Sequence, residues 1–155
     1  MLKRRPLSAG MLATMCVVLA GCFAPGDPEG VPVGLRVDDG VISMYVPLCP
    51  GERVTSGNID LPQGNGKRVW SGEDPLRPDS KLVRFDQTAW RKTTGSFRYT
   101  GQDFGIDVIG TVQSYGAGMG TRKLPGDLPE GFYDSDGKKV TAADLDSKAK
   151  CARSG

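Results

Sequence analysis

The sequence predicts an all-β domain, an antiparallel β-sandwich closed by a short C-terminal helix. Three observations carry this reading. Apolar residues recur mainly at every second position, clusters of Gly, Pro, Asn and Asp separate these runs at short intervals, and only the last stretch shifts to helical spacing. A period of two marks a half-buried strand, because successive side chains leave opposite faces of the pleat.

Leu35 and Val37 flank an outward Arg36, and Ile42, Met44 and Val46 alternate with Ser43 and Tyr45. Between them Asp38-Asp39-Gly40 signals a hairpin, because a tight turn there needs positive φ. Further strands are expected over Glu52 to Leu61 and Lys67 to Ser71, then where Val83 and Phe85 flank Arg84 and where Phe97 and Tyr99 flank Arg98. The clearest alternation is Phe104, Ile106, Val108, Gly110 and Val112, and a last short strand is expected at Phe132 and Tyr133. Turn clusters fall at Pro50-Gly51, Gly64-Asn65-Gly66, Gly72 to Pro78, Thr93 to Gly95, Gly116 to Gly120 and Asp134 to Gly137. Short strands at this spacing suggest immunoglobulin-like architecture, with a small barrel as the alternative. Thr141 then reads as a helix cap with Asp144 in the first turn, and Leu145 and Ala149 follow at four-residue spacing, giving a helix from Ala142 to about Cys151.

The start of the chain has a different character. Lys3, Arg4 and Arg5 precede an apolar run, Met11 to Ala20, whose length of about 10 residues is well short of the roughly 20 that span a bilayer. The run ends in Leu19-Ala20-Gly21-Cys22, which resembles the lipobox of bacterial lipoproteins. That resemblance implies a cleaved signal peptide over 1–21 and a diacylglycerol, with fatty chains such as palmitate, on the sulfur of Cys22. One such chain holds a protein marginally, and two hold it stably. It also implies a protein at the cell membrane, anchored through lipid and facing away from the cytoplasm. Phe23 to Pro32, with Pro25, Pro28 and Pro32, reads as the tether of a segment 22–32, and the folded domain is expected over 33–155. The usage of Ala, Gly, Pro and Arg is similar to that of small uncharacterised actinomycete lipoproteins.

Cleavage before Cys22 would remove three of the 20 basic residues and none of the 18 acidic ones, leaving 17 against 18 and a formal charge of −1. No field of one sign then draws the domain to nucleic acid. Besides the anchor, Cys49 and Cys151 remain, since Cys16 leaves with the signal. Outside the cytoplasm an even pair reads as a disulfide, and closing a loop of about 100 residues stabilises by about 4 to 5 kcal/mol on chain-entropy grounds.

The chain has no histidine, which removes Ser-His-Asp and Cys-His mechanisms and His-ligated metal sites. Other motifs fall short. Asp134-Ser135-Asp136-Gly137 resembles half of a calcium loop, but Lys138 and Lys139 stand where ligands are needed. Gly116 to Gly120 lacks the Lys-Ser or Lys-Thr of a phosphate cradle, and Ser135 with Lys138 lies in a turn without companion motifs. Glu73 with Asp74 and Asp38 with Asp39 read as solvated turn residues. No metal or cofactor is expected.

Arg84, Trp90, Arg91, Lys92 and Arg98 form the candidate contact surface for an anion or a partner, on the expectation that their strands pair and share an outer face. The functional expectation is a non-catalytic binding or adaptor module for an envelope protein or a wall polymer. A cell-envelope enzyme working through carboxylates is the alternative, and two or more acidic side chains in a deep cleft would favour it.

Overall fold

The alternating runs form strands that stack as two antiparallel sheets. The computed structural model describes residues 30–120, 124, 131–149 and 151. Its strands are β1 (Gly34–Asp38), β2 (Val41–Tyr45), β3 (Val54–Leu61), β4 (Lys67–Pro75), β5 (Leu82–Arg84), β6 (Trp90–Gly95), β7 (Phe104–Gly110), β8 (Ser114–Met119), β9 (Phe132–Tyr133) and β10 (Lys139–Val140). A four-residue turn of helix, α1 (Gln63–Gly66), follows β3, and α2 (Ala142–Ser147) follows β10. One five-stranded sheet runs β10-β9-β1-β2-β5 and the other β6-β4-β3-β7-β8. Among the described residues each sheet keeps two separate edges, so the architecture is an open sandwich rather than a closed barrel.

The core between the sheets takes the inward positions of both. Leu35, Ile42, Met44 and Phe85 of the first sheet meet Ile59, Trp70, Phe104 and Val108 of the second. Trp70 packs edge-on against Phe85 and Trp90, at centroid distances of 5.3 and 5.6 Å. These rings need a floor without side chains, and Gly72 supplies it: a Cβ there would lie 2.6 Å from Trp70 Cη2 and from Trp90 Cδ2. The β1–β2 hairpin turns through Asp39 at φ 51° and Gly40 at φ 77°, the paired positive values that a two-residue hairpin requires.

A smaller cluster of Tyr45, Phe132, Val140 and Leu145 lies on the outer face of the first sheet. It fixes α2, whose N-terminus carries a capping box between Thr141 and Asp144. The Thr141 hydroxyl and backbone N–H hold the Asp144 carboxyl below the usual range. The helix stops at Ser147, short of the expected Cys151, because Leu145 is its buried anchor and the chain beyond must reach Cys49.

Several local expectations are corrected: Gly72 to Pro75, expected as the start of a turn, continue β4, and the alternation from Phe104 ends at Gly110, leaving Val112 exposed. Gly116 to Gly120 is not a loop: Gly116 and Gly118 take outward positions of β8 while Tyr115, Ala117 and Met119 face the core. Trp90 to Gly95 is an edge strand, its alternation masked by exposed Arg91 and Lys92. Phe97 and Tyr99 lie in irregular chain, where both pack on Phe104 at 5.8 and 5.6 Å. The expected signal peptide, Cys22 and the tether up to residue 29 lie outside the described residues. No described helix is long and apolar enough to cross a membrane.

Candidate functional site

The two sheets come closest to an open seam where β5 ends one and β6 ends the other. Trp90, the first residue of β6, sends its indole N–H across this seam to the carbonyl of Arg84 at 2.7 Å. Ser80 engages Leu82 on the same edge: its hydroxyl donates to the Leu82 carbonyl at 2.9 Å and accepts from the Leu82 N–H at 3.2 Å. With these groups engaged the edge is a poor template for another strand, which leaves side chains as its main means of recognition.

Those side chains form a groove with a volume of about 310 Å³, at the lower end of the range for small-ligand sites. Val83, Ala89 and Trp90 give it an apolar floor, and Leu76, Arg77 and Arg84 stand at its rim. Leu76 is 52% exposed and Leu82, which also lines the groove, 36%. The walls are rigid. Leu76 N–H donates to the Ala89 carbonyl at 2.9 Å, and Asp86 accepts from the backbone of Thr88 and Ala89, from the Thr88 hydroxyl and from Arg84. Burial alone would raise the Asp86 carboxyl, but the hydrogen bonds from Thr88 and Arg84 outweigh it and hold the group below its ordinary value. Arg77 has no hydrogen bond or ion pair from its guanidinium among the described residues.

Of the predicted contact residues, the structure brings only Arg84 and Trp90 together, and Trp90 does so as a buried brace rather than an exposed ring. Arg84 lies on β5 of one sheet and Arg91 and Lys92 on β6 of the other, so the expected strand pairing is absent. Lys92 stands 3.7 Å from Asp74 and 4.0 Å from Glu73 on the exposed β4–β6 edge. Arg98 lies beyond β6, against the β1–β2 turn, where a Cβ on Gly40 would meet its Cγ at 2.8 Å. Sequence reasoning missed Leu76, Arg77 and Leu82. The signal available was two leucines, Leu76 and Leu82, on either side of the Pro78-Asp79 turn with no alternating partners to bury them.

A second, shallower cavity of about 620 Å³ surrounds the disulfide between Cys49 and Cys151, whose Cα atoms are 5.5 Å apart. The bridge agrees with the sequence expectation. Glu52, Asp79 and Asp146 line this cavity together with Arg53 and Lys81. Glu52 is 4% exposed. Its Oε2 accepts from the Cys49 N–H at 2.9 Å and the Tyr115 hydroxyl at 2.6 Å, and its Oε1 from the Gln113 N–H at 3.2 Å. Burial first, then the hydrogen bond to Glu52, raises the Tyr115 phenol far above its usual range. Asp146 is equally committed, to the Tyr45 hydroxyl and to Lys81 Nζ, each at 2.9 Å.

Among the described residues one carboxyl has a raised affinity for its proton. Asp107 on β7 is pushed up by burial and by the charge of Asp60, partly offset by Arg68. It lies on the outer face of its sheet, across the bare backbone of Gly116, and lines neither cavity. In the Asp134 to Gly137 turn, Asp134 Oδ1 accepts from the N–H groups of Asp136 and Lys138, which makes that carboxylate a turn cap. Among the described residues no three His, Cys, Asp or Glu side chains converge as metal ligands. Comparison with protein-family models, curated proteins and solved structures finds no match for this chain.

Proposed function

We propose that this chain is a lipoprotein anchored through Cys22 on the outward side of the cell membrane, and that its sandwich is a non-catalytic binding module. The groove at the β5–β6 seam docks an apolar segment of an envelope protein that carries an acidic group. The observation behind this is the groove itself: Leu76 and Leu82 remain open to solvent beside the guanidinium of Arg77, which has no partner among the described residues, on a wall braced by Asp86 and Trp90. Exposed leucines lose water on docking, and a guanidinium at the rim selects a carboxylate neighbour. The lipobox resemblance supplies the location, and two acyl chains would hold the module at the surface.

The carboxylate-enzyme reading has less support. Glu52 and Asp146 stand in one cavity, yet each is held by hydrogen bonds to its own fold, and the carboxyl with raised proton affinity, Asp107, lies outside both cavities. General acid–base work needs such a group within reach of bound substrate.

The test uses intact cells expressing the full chain with a photo-crosslinking amino acid at position 82. One envelope protein should be captured, with capture lost when Leu76→Asp is added. Recovery of wall fragments alone, or capture indifferent to Leu76→Asp, overturns the docking reading. Mass spectrometry of the mature N-terminus should find a diacylated Cys22, and an unmodified thiol on chain released to the medium overturns the anchor.

A further inference from the structure

The large hydrophobic side chains that stay exposed among the described residues, Leu76, Leu82 and Val112, all lie at one end of the sandwich. Strand register defines that end. Gly34, where β1 begins, pairs with Tyr45 at the end of β2, and Tyr45 pairs with Leu82 at the start of β5. In the other sheet Val54 opens β3 opposite Gly110, which closes β7, and Pro75 closes β4 opposite Trp90, which opens β6. The Val54 N–H donates to the Pro78 carbonyl, in the segment leading to β5, at 2.7 Å, so both sheets turn here on the same side. The chain also enters the domain at this end, where Val33 is buried and Val31 packs on the main core. The β1–β2 turn lies at the opposite end.

Leu76 and Leu82 line the groove, but Val112 lines neither cavity. It is 66% exposed at the tip of the β7–β8 hairpin. That tip is locked. The Gly110 N–H donates to the Gln113 carbonyl at 2.8 Å, and the Gln113 N–H to Glu52 Oε1 at 3.2 Å. The Thr111 N–H donates to the Arg53 carbonyl at 2.8 Å, and the Arg53 N–H returns to the Thr111 hydroxyl at 3.1 Å. Val112 and Arg53 are therefore presented side by side from one rigid corner. Arg53 is exposed, and its guanidinium has no hydrogen bond or ion pair among the described residues.

We propose that this end of the domain seats on the lipid bilayer, with Val112 entering the headgroup layer and Arg53 setting its guanidinium on lipid phosphates. The inference rests on the reading of Cys22 as the lipid anchor. From Gly30 eight positions lead back to Cys22, a reach of at most about 28 Å. The acyl chains thus hold the entry end beside the surface, while the eight residues of β3 set the β1–β2 turn about 26 Å further off. A single exposed valine is ordinary on a protein surface. This one stands on the end that the anchor brings to lipid, where burial removes it from water. The arginine beside it can lay its stem along the apolar layer and keep its charge among the phosphates. With 17 basic against 18 acidic residues after cleavage, the domain has no field that draws it to an anionic membrane. The lipid brings it there, and Val112 and Arg53 orient it. The groove residues are left to their own partner.

The experiment is NMR of the isotopically labelled mature chain, purified from cell membranes and placed in nanodiscs of phosphatidylethanolamine and phosphatidylglycerol that carry a gadolinium-chelating lipid. Intact mass first establishes the acyl groups on Cys22. The amides of Arg53, Thr111 and Val112 should then broaden about tenfold more than those of Asp39 and Gly40, because the length of the strands separates the two sets. Val112→Asp combined with Arg53→Gln should lower that ratio about threefold, since the tether alone lets the domain tumble. Both side chains are exposed, so the denaturation midpoint should stay where it is. Equal broadening at the two ends of the acylated parent, or a ratio that the double variant leaves unchanged, overturns the seating while the anchor stands. A mass without acyl groups overturns the anchor and the seating with it. Capture by the groove is read at position 82 and fails or holds independently of both.

Discussion

Tyr45 donates its phenolic hydrogen to Asp146 Oδ2 at 2.9 Å, joining β2 to α2 across 101 residues of chain. The second oxygen of the same carboxylate takes Lys81 Nζ at 2.9 Å, so one aspartate gathers β2, α2 and the segment before β5. Burial, then the hydrogen bond and charge of Asp146, raises the Tyr45 phenol from 10.0 to about 12. A pKa raised by folding stabilises the fold fully below the unfolded value and ceases to do so as pH climbs through the folded one. Stability should therefore decline between about pH 10 and pH 12 as this proton is lost. Ultraviolet titration should show a late tyrosine component that Tyr45→Phe removes, and urea unfolding at neutral pH should place that variant about 1 kcal/mol below the parent. A Tyr45→Phe protein with the same alkaline midpoint and the same titration would rule the linkage out.

The Glu52 carboxylate sits where β3 begins and accepts three hydrogen bonds, from Cys49, Gln113 and Tyr115. Replacing it by Gln turns one accepting oxygen into an NH₂ that faces a donor. Glu52→Gln should lower stability by about 2 to 3 kcal/mol, and Tyr115→Phe, which leaves the carboxylate its two backbone partners, by about 1 to 2 kcal/mol. Their double variant should be less destabilised than the sum, because both remove one shared bond. Urea midpoints of the four proteins decide it, and strict additivity would break the proposed coupling.

Much of the sandwich was legible because its inward residues are large and its outward ones polar. Leu35-Arg36-Val37 and Phe104-Gly105-Ile106-Asp107-Val108 announce their faces in the letters themselves, and Asp38-Asp39-Gly40 announces its turn. β8 was hidden because glycine, at Gly116 and Gly118, fills outward positions where a polar side chain would have revealed the alternation. Phe97 and Tyr99 misled for the opposite reason, since an aromatic alternation can serve loop packing as well as a strand. The groove was out of reach, because it depends on β5 and β6, the edges of two different sheets, lying side by side.

Gly72 is the residue most constrained by packing. Any Cβ there would stand 2.6 Å from Trp70 Cη2 and Trp90 Cδ2 and 2.9 Å from Trp90 Cε3, all ring atoms inside the core. Relief requires the indoles to move, and Trp90 cannot move without losing its bond to the Arg84 carbonyl. Gly72→Ala should cost about 2 to 3 kcal/mol and alter the near-ultraviolet circular dichroism. Gly118→Ala, where nothing lies within 4 Å of the added carbon, should change neither. Equal spectra for both variants would mean that the ring cluster is looser than its geometry implies.

The bridge between Cys49 and Cys151 closes nearly the whole domain, with 102 positions between its ends. It acts on the unfolded chain by loop closure and on the folded chain by holding α2, whose own hold is Leu145 in the outer cluster and Asp146 against Tyr45 and Lys81. Cys49→Ala with Cys151→Ala should lose about 4 to 5 kcal/mol, a large part of the margin of a domain this size. The loss should not be uniform. Amide exchange should quicken first in α2 and at Val140, while Ile106 and Val108, buried on β7 in the main core, should exchange only on global unfolding. If α2 stays as protected as β7 without the bridge, then Leu145 and Asp146 suffice to hold the helix, and the disulfide acts on the unfolded chain alone.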